Sequence, residues 1–211
     1  MYRLISAAPS PYARKVRITL MEKGIPFELI TEVPWNRETS TPRYNPLEKL
    51  PVLICADGST FYESRFIVEY LELKHPNPPL LPCDIDGMLA AKRLEVLCDG
   101  ICDALLLMFF EKMRPEAAQS AEWTARQRRK VDGGLREVSR LIGNRQFAVA
   151  DRFGLGDIVA ATAVGYMSVR WPQLRWHEQY PNLAAHSDRM EARPSFLNSR
   201  PVPQSIADKV V

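Results

Sequence analysis

The stretch Pro51-Val52-Leu53-Ile54-Cys55-Ala56-Asp57-Gly58-Ser59-Thr60-Phe61-Tyr62-Glu63-Ser64 decides how the chain folds. Pro51 to Cys55 and Thr60 to Tyr62 are short apolar runs, and Asp57-Gly58 between them is a hairpin turn signal. Two strands joined this closely are antiparallel. Ser64 then opens a helix whose apolar residues Phe66, Ile67, Tyr70 and Leu71 are expected on one face, able to cover the sheet.

Upstream, the pattern alternates. Arg3 to Ser6 reads as a strand, and Pro11 to Lys23 has helical spacing through Val16 and Leu20 and stops at Gly24. Phe27 to Ile30 reads as a second strand, which completes a βαβ opening, and Trp35 to Asn45 is looser, with room for a short helix. The order β-α-β-(α)-β-β-α gives a four-stranded mixed sheet, the order of thioredoxin-like domains. Residues 1–75 are therefore expected to form one α/β domain.

Downstream, His75-Pro76-Asn77-Pro78-Pro79-Leu80-Leu81-Pro82 has too many prolines for regular helix and reads as a stiff connector, with the linker assigned to 76–86. From Gly87 only helical periodicity is present, at about 88–113, 119–142, 155–171 and 182–192. Residues 87–200 are expected as an all-helical bundle. The remaining 201–211 read as a tail that crosses the surface or is disordered.

Composition narrows the function classes. The 211 residues are 46% hydrophobic, enough to bury a full core. No run approaches the roughly 20 apolar residues of a membrane span, and Arg14, Lys15 and Arg17 interrupt any apolar signal segment. The expected compartment is the cytoplasm, with no membrane partner. A net charge of +3 is too small to argue for nucleic acid, and the run Arg126, Arg128, Arg129, Lys130 reads as a solvated helix face. Cys55, Cys83, Cys98 and Cys102 form no C-x-x-C pair, and the three histidines are scattered, so no metal site is expected. Cys98 and Cys102 fall at i and i+4 and read as small buried hydrophobes.

Three features carry chemistry. Ser10 before Pro11 is a natural helix N-cap with proline at the first helical position. Alone, a cap accounts for it. The same geometry places a hydroxyl beside free N–H groups and the positive end of a helix dipole, where it can donate to a thiolate and lower a thiol's pKa from about 8.5 toward neutrality. Pro51 at a strand entry supplies no N–H. An ordinary trans bond suffices there, whereas a cis bond would turn the Leu50 backbone outward for an extended peptide to pair with. Glu63-Ser64 reads as a helix start with Ser64 as its cap, and the same pair could hold a carboxylate and an ammonium group. Placed together at one end of one sheet, the three would complement the peptide γ-Glu-Cys-Gly.

The strings Ser10-Pro11-Tyr12-Ala13-Arg14-Lys15-Val16-Arg17, Asn45-Pro46-Leu47-Glu48-Lys49-Leu50-Pro51-Val52-Leu53 and Phe61-Tyr62-Glu63-Ser64 resemble the cytosolic glutathione S-transferase family. Tyr180-Pro181-Asn182-Leu183 and Arg193-Pro194-Ser195-Phe196 extend the resemblance over nearly the whole chain. It implies glutathione as substrate, Ser10 in the catalytic position, Leu50 pairing with the cysteinyl backbone beside a cis Pro51, and Glu63 and Ser64 at the γ-glutamyl end. Lys49 is the implied contact for the glycyl carboxylate. Serine at position 10 argues against the thiol-transfer branch and favours ionising glutathione itself.

The chain departs from the family pattern at Gly154-Leu155-Gly156-Asp157, where a capping hydroxyl is missing and Asp157 must serve alone. No Ser-Ser-Cys string is present, which weakens a maleylacetoacetate isomerase assignment. The leading expectation is a transferase that directs the glutathione thiolate at a small electrophile held between the domains, with Tyr12, Met108, Met113 and Trp171 as candidate apolar contacts. The resemblance also implies a homodimer. The rivals are a non-catalytic interaction protein of the same fold and a glutathione-dependent disulfide reductase.

Overall fold

A computed structural model describes residues 1–208. The chain divides into two compact units: Met1–Leu80 together with the segment that begins at Ala192, and Leu81–Glu191. The break at Leu80 falls within the proline-rich connector. The return at Ala192 differs from the expected helical domain of 87–200, because the last stretch before the tail packs on the first unit.

In the first unit, β1 (Tyr2–Ser6), β2 (Phe27–Thr31), β3 (Val52–Ile54) and β4 (Thr60–Tyr62) form one sheet in the order β2-β1-β3-β4. β1 pairs parallel with β2 and antiparallel with β3, and β3 pairs antiparallel with β4. The short helix expected in the loose segment is a 3-10 turn at Thr41–Arg43.

Helix α1 (Pro11–Glu22) starts where the sequence puts it. Ser10 is its N-cap, Pro11 its first residue, and Gly24 turns the chain out at φ +64°. Arg14 and Lys15 are each 1% exposed, although basic residues on a helix normally reach water. For Arg14 the reason lies far along the chain, where its guanidinium donates to the Phe196 carbonyl at 3.2 Å and sits 5.4 Å from the Phe196 ring. Burial, with Arg14 alongside, lowers Arg17 to about 10. Its Nη2 donates to the Ser199 carbonyl at 3.1 Å.

Helix α2 (Ser64–Lys74) buries Ile67, Val68 and Leu71. The face expected from the sequence included Phe66 and Tyr70, but Phe66 is 51% exposed. Aromatic pairing explains the difference. Tyr70 stacks on Phe61 of β4 at 4.2 Å and Phe66 meets the same ring edge-on at 5.6 Å, so both lie to one side of the buried stripe. Lys23, at the end of α1, fastens the connector with bonds from Nζ to the carbonyls of His75 (2.7 Å) and Pro78 (2.9 Å) and an ion pair to Glu72 at 2.7 Å.

The second unit holds α3 (Ile85–Met113), α4 (Ala121–Ile142), α5 (Leu155–Arg170), α6 (Trp176–Gln179) and α7 (Pro181–Glu191). No helix among the described residues is long and apolar enough to cross a membrane. Cys98 and Cys102 are buried within α3, and Arg126, Arg129 and Lys130 are exposed on α4. Helices α3 and α4 approach closely at Gly134, where a Cβ would lie 2.6 Å from Ile101 Cγ1. A side chain there would require the helices to move apart.

Helix α5 is buried on nearly every side, so its first-turn N–H groups must find partners within the protein. Gly154 is the N-cap and offers no hydroxyl. Asp157 Oδ2 accepts from the Gly154 N–H at 2.9 Å, and Oδ1 accepts from the Ala148 N–H and faces His186 Nε2, each at 2.7 Å. Asp157 thus ties together the loop before α5, the helix start and α7.

Candidate active site

The sheet register brings the three sequence features to one edge. Ile5 of β1 faces Val52 of β3, and Val52 faces Tyr62 of β4. Ser10 comes one short turn after β1, Leu50-Pro51 immediately precedes β3, and Glu63-Ser64 immediately succeeds β4. Because β3 runs against both neighbours, all three lie at the same end of the sheet. The side chains of Ile30, Tyr44, Leu50 and Tyr62 pack on Ile5, Val52 and Ile54 below them.

The half-buried Ser10 Oγ accepts from the Ala13 N–H at 3.2 Å, as an N-cap should. Capping uses a lone pair and leaves the hydroxyl proton to donate. Cap and thiolate donor are therefore compatible roles for one oxygen.

The Leu50–Pro51 bond is cis. Just before it, Asn45 folds the 46–49 turn from within. This buried side chain donates to the Lys49 carbonyl at 2.7 Å and accepts from the Leu47 N–H at 2.9 Å, while its own carbonyl accepts from the Glu48 N–H at 3.0 Å. Lys49 stays exposed. Sequence reasoning missed the part Asn45 plays, although Asn-Pro is a recognised turn cue.

At the third feature the expected cap is displaced by one residue. Glu63, not Ser64, is the N-cap of α2, and Ser64 is the buried first helical residue. Glu63 Oε1 accepts from the Arg65 N–H and the Ser64 hydroxyl, both at 3.3 Å. The Glu63 backbone is held at φ +70°, ψ +116°, a conformation non-glycine residues adopt at a cost of about 1–3 kcal/mol. A longer carboxylate can cap from there because the unusual backbone brings it back over the helix end.

Tyr12 lies half-buried in the first turn of α1. On α3, Met108 is 5% exposed and Met113 40%, and Trp171 after α5 is buried with Lys112 Nζ 5.8 Å from its ring. Met108 and Met113 are five residues apart and do not share a helix face.

This fold and this edge define a thioredoxin-like sheet followed by a helical unit, and comparison with known proteins gives the family. The glutathione S-transferase N-terminal domain model matches residues 9–74, and the C-terminal domain model of the same family matches 121–189. An uncharacterised GST-like protein, YibF of Escherichia coli K12, is 36% identical over 94% of this chain and 98% of its own. A glutathione S-transferase of Methylobacterium radiotolerans, solved in complex with glutathione sulfonate, is 65% identical with a TM-score of 0.98, covering 100% of this chain and 99% of that one. A second, from Methylobacillus flagellatus with glutathione bound, is 39% identical with a TM-score of 0.92, covering 96% and 100%. The chain belongs to the glutathione S-transferase family.

Proposed function

We propose that this protein is a glutathione transferase that binds glutathione along the sheet edge described above. The observation that carries the reading is the register Ile5–Val52–Tyr62, which sets a hydroxyl at a helix N-terminus, an open strand entry and a helix-capping carboxylate side by side. The relatives of known structure with glutathione or its sulfonate bound support the ligand.

In this reading the γ-glutamyl carboxylate takes the place of Glu63 Oε1 on the Ser64 hydroxyl and the Arg65 N–H, and the displaced Glu63 carboxylate faces the ammonium group. The cysteinyl backbone pairs with Leu50, and Lys49, exposed on the turn that Asn45 holds, meets the glycyl carboxylate. The thiol then lies against Ser10. Donation from its hydroxyl, with the α1 dipole, favours the thiolate, which attacks an electrophilic carbon or a reducible sulfur or oxygen. Tyr12, two residues beyond Ser10, is the first-unit candidate to meet the apolar part of the electrophile. A reducing cytoplasm suits the four free thiols.

Calorimetry with millimolar glutathione tests the reading directly, and absence of heat from folded protein would overturn it. The double variant Glu63→Gln, Ser64→Ala is expected to raise KM for glutathione about tenfold or more with kcat changed less, because the γ-glutamyl end lies away from the reacting sulfur. An unchanged KM would remove both residues from the site. A screen of aryl halides, epoxides, peroxides and mixed disulfides identifies the electrophile class.

We also assign a homodimer. On α3 the side chains of Leu89, Val96 and Leu107 are 60%, 56% and 43% exposed along one helical face that also carries Arg93 and Asp103, a mixed surface whose three apolar residues a second copy would cover. Sedimentation should give twice the 24.0 kDa chain mass; a monomer at micromolar concentration would refute it.

A further inference from the structure

From Ala192 the chain runs back along α1, from its C-terminal end to its N-terminal end. Arg193 pairs with Glu22 at 2.7 Å, next to the short helix α8 (Pro194–Leu197). The Phe196 and Ser199 carbonyls accept from Arg14 and Arg17. From Arg200 to Asp208 the strap has no regular structure, yet it is tied down at Gln204, Ala207 and Asp208. Gln204 Oε1 accepts from the Ala8 N–H at 3.2 Å, and Gln204 Nε2 donates to the Glu32 carbonyl at 3.3 Å. Further on, Asn36 Oδ1 accepts from the Ala207 N–H at 3.0 Å and Asp208 accepts from the Arg37 N–H at 2.7 Å.

The Gln204 pair has a specific geometry. Strands β1 and β2 run parallel with Ser6 opposite Thr31, and the Glu32 N–H continues their ladder to the Ser6 carbonyl at 2.8 Å. In a parallel ladder the rung after that bond is Ala8 N–H to Glu32 carbonyl. Those are the two groups that Gln204 joins. Its side-chain amide, one acceptor and one donor in a plane, is spliced between them as a substitute peptide where the strands separate.

The parting of the strands governs the turn after β1. Pro9 has no N–H, the Ser10 N–H is bonded to the Ala7 carbonyl at 3.1 Å, and Pro11 begins a rigid helix. The direction in which the chain leaves Ala8 therefore sets where Ser10 and the N-terminus of α1 lie. We propose that Gln204 is a positioning residue for Ser10, fixing the turn Ala7–Ser10 by completing the β1–β2 ladder through its side chain. This rests on the role of Ser10 proposed above. The strap has no place in the chemistry; it aims the group that does.

Gln204→Leu keeps the volume and removes both bonds, and it can be read with and without ligand. Without glutathione, amide hydrogen exchange at Ala8 and in the first turn of α1 should accelerate tenfold or more, while Leu4 in the middle of β1 stays protected. Unaltered exchange at Ala8 would overturn the proposal whatever the protein binds. With glutathione, the bound thiol should titrate about half a unit higher than in the parent, and kcat at pH 7 should fall about threefold or more with KM changed less than twofold. Accelerated exchange with an unmoved titration in a variant that still binds would also overturn it, leaving Gln204 a purely structural contact. A parent that binds no glutathione refutes the functional reading instead, and exchange at Ala8 still decides whether Gln204 holds the turn. Gln204→Ala, which admits water to the gap, supplies the same comparison if the leucine lowers Tm.

Discussion

Replacing Ser10 by alanine is expected to raise the pKa of bound glutathione by about one to two units, toward the 8.5 of a free thiol. The hydroxyl sits at the positive end of α1 with one lone pair engaged by the Ala13 N–H, so its loss removes the proton that can be given to sulfur. A shift of that size, ending near 8.5, lowers the thiolate fraction at pH 7 by roughly 8- to 25-fold, and kcat should fall in proportion and recover in alkaline buffer. The lost cap should cost about 1 kcal/mol of stability as well. The thiolate absorbance of the bound complex, titrated in parent and variant, separates the two effects. A variant that merely melted earlier, with the titration unmoved, would leave Ser10 as a structural cap and return the donor role to Tyr12 or a backbone N–H of α1.

The second large effect is on folding. Asp157→Ala should destabilise the protein by about 3–5 kcal/mol, because it strips partners from the Ala148 and Gly154 N–H groups and from the buried His186 in one step. For a chain of this size, that corresponds to a Tm lower by about 6–20 °C. Asp157→Asn keeps the volume and one acceptor oxygen and should lose clearly less. An alanine variant within about 1 kcal/mol of the parent would show that Gly154 caps the helix adequately without the carboxylate.

What the amino acids disclosed in advance was whatever nearest neighbours decide. Asp57-Gly58 marks its hairpin, Ser10-Pro11 marks the start of α1, and Gly24 marks its end, because turn and cap geometry depends on a few adjacent residues. The convergence of Ser10, Leu50 and Glu63 was legible once strand order was assumed, since β3 then had to oppose β1. The readings that failed depend on distant partners. Helical phase alone sets Phe66 on the face that covers the sheet, although its place is set by Phe61 across the sheet edge. Nothing local marks Arg14 and Arg17 as buried, because their carbonyl partners stand 182 residues later. Ser64 looked the better cap by residue type, and only a backbone conformation rare for glutamate let Glu63 take the position. Gln204 carried no local signal, being one polar residue in a proline-bearing tail.

The return of the chain at Ala192 also bears on how the protein is made. The ribosome delivers Met1–Leu80 first, but the Arg193 partner of Glu22, the carbonyls that cover Arg14 and Arg17, and the Gln204 amide arrive only after the whole helical unit, Leu81–Glu191, has been translated. At about 5–20 residues per second, that interval lasts on the order of 5 to 20 s. During it the nascent sheet can form while two buried guanidinium groups lack their acceptors and the turn before Ser10 lacks its last rung. The sheet edge that carries Ser10 is therefore synthesised well before the residues that finish it.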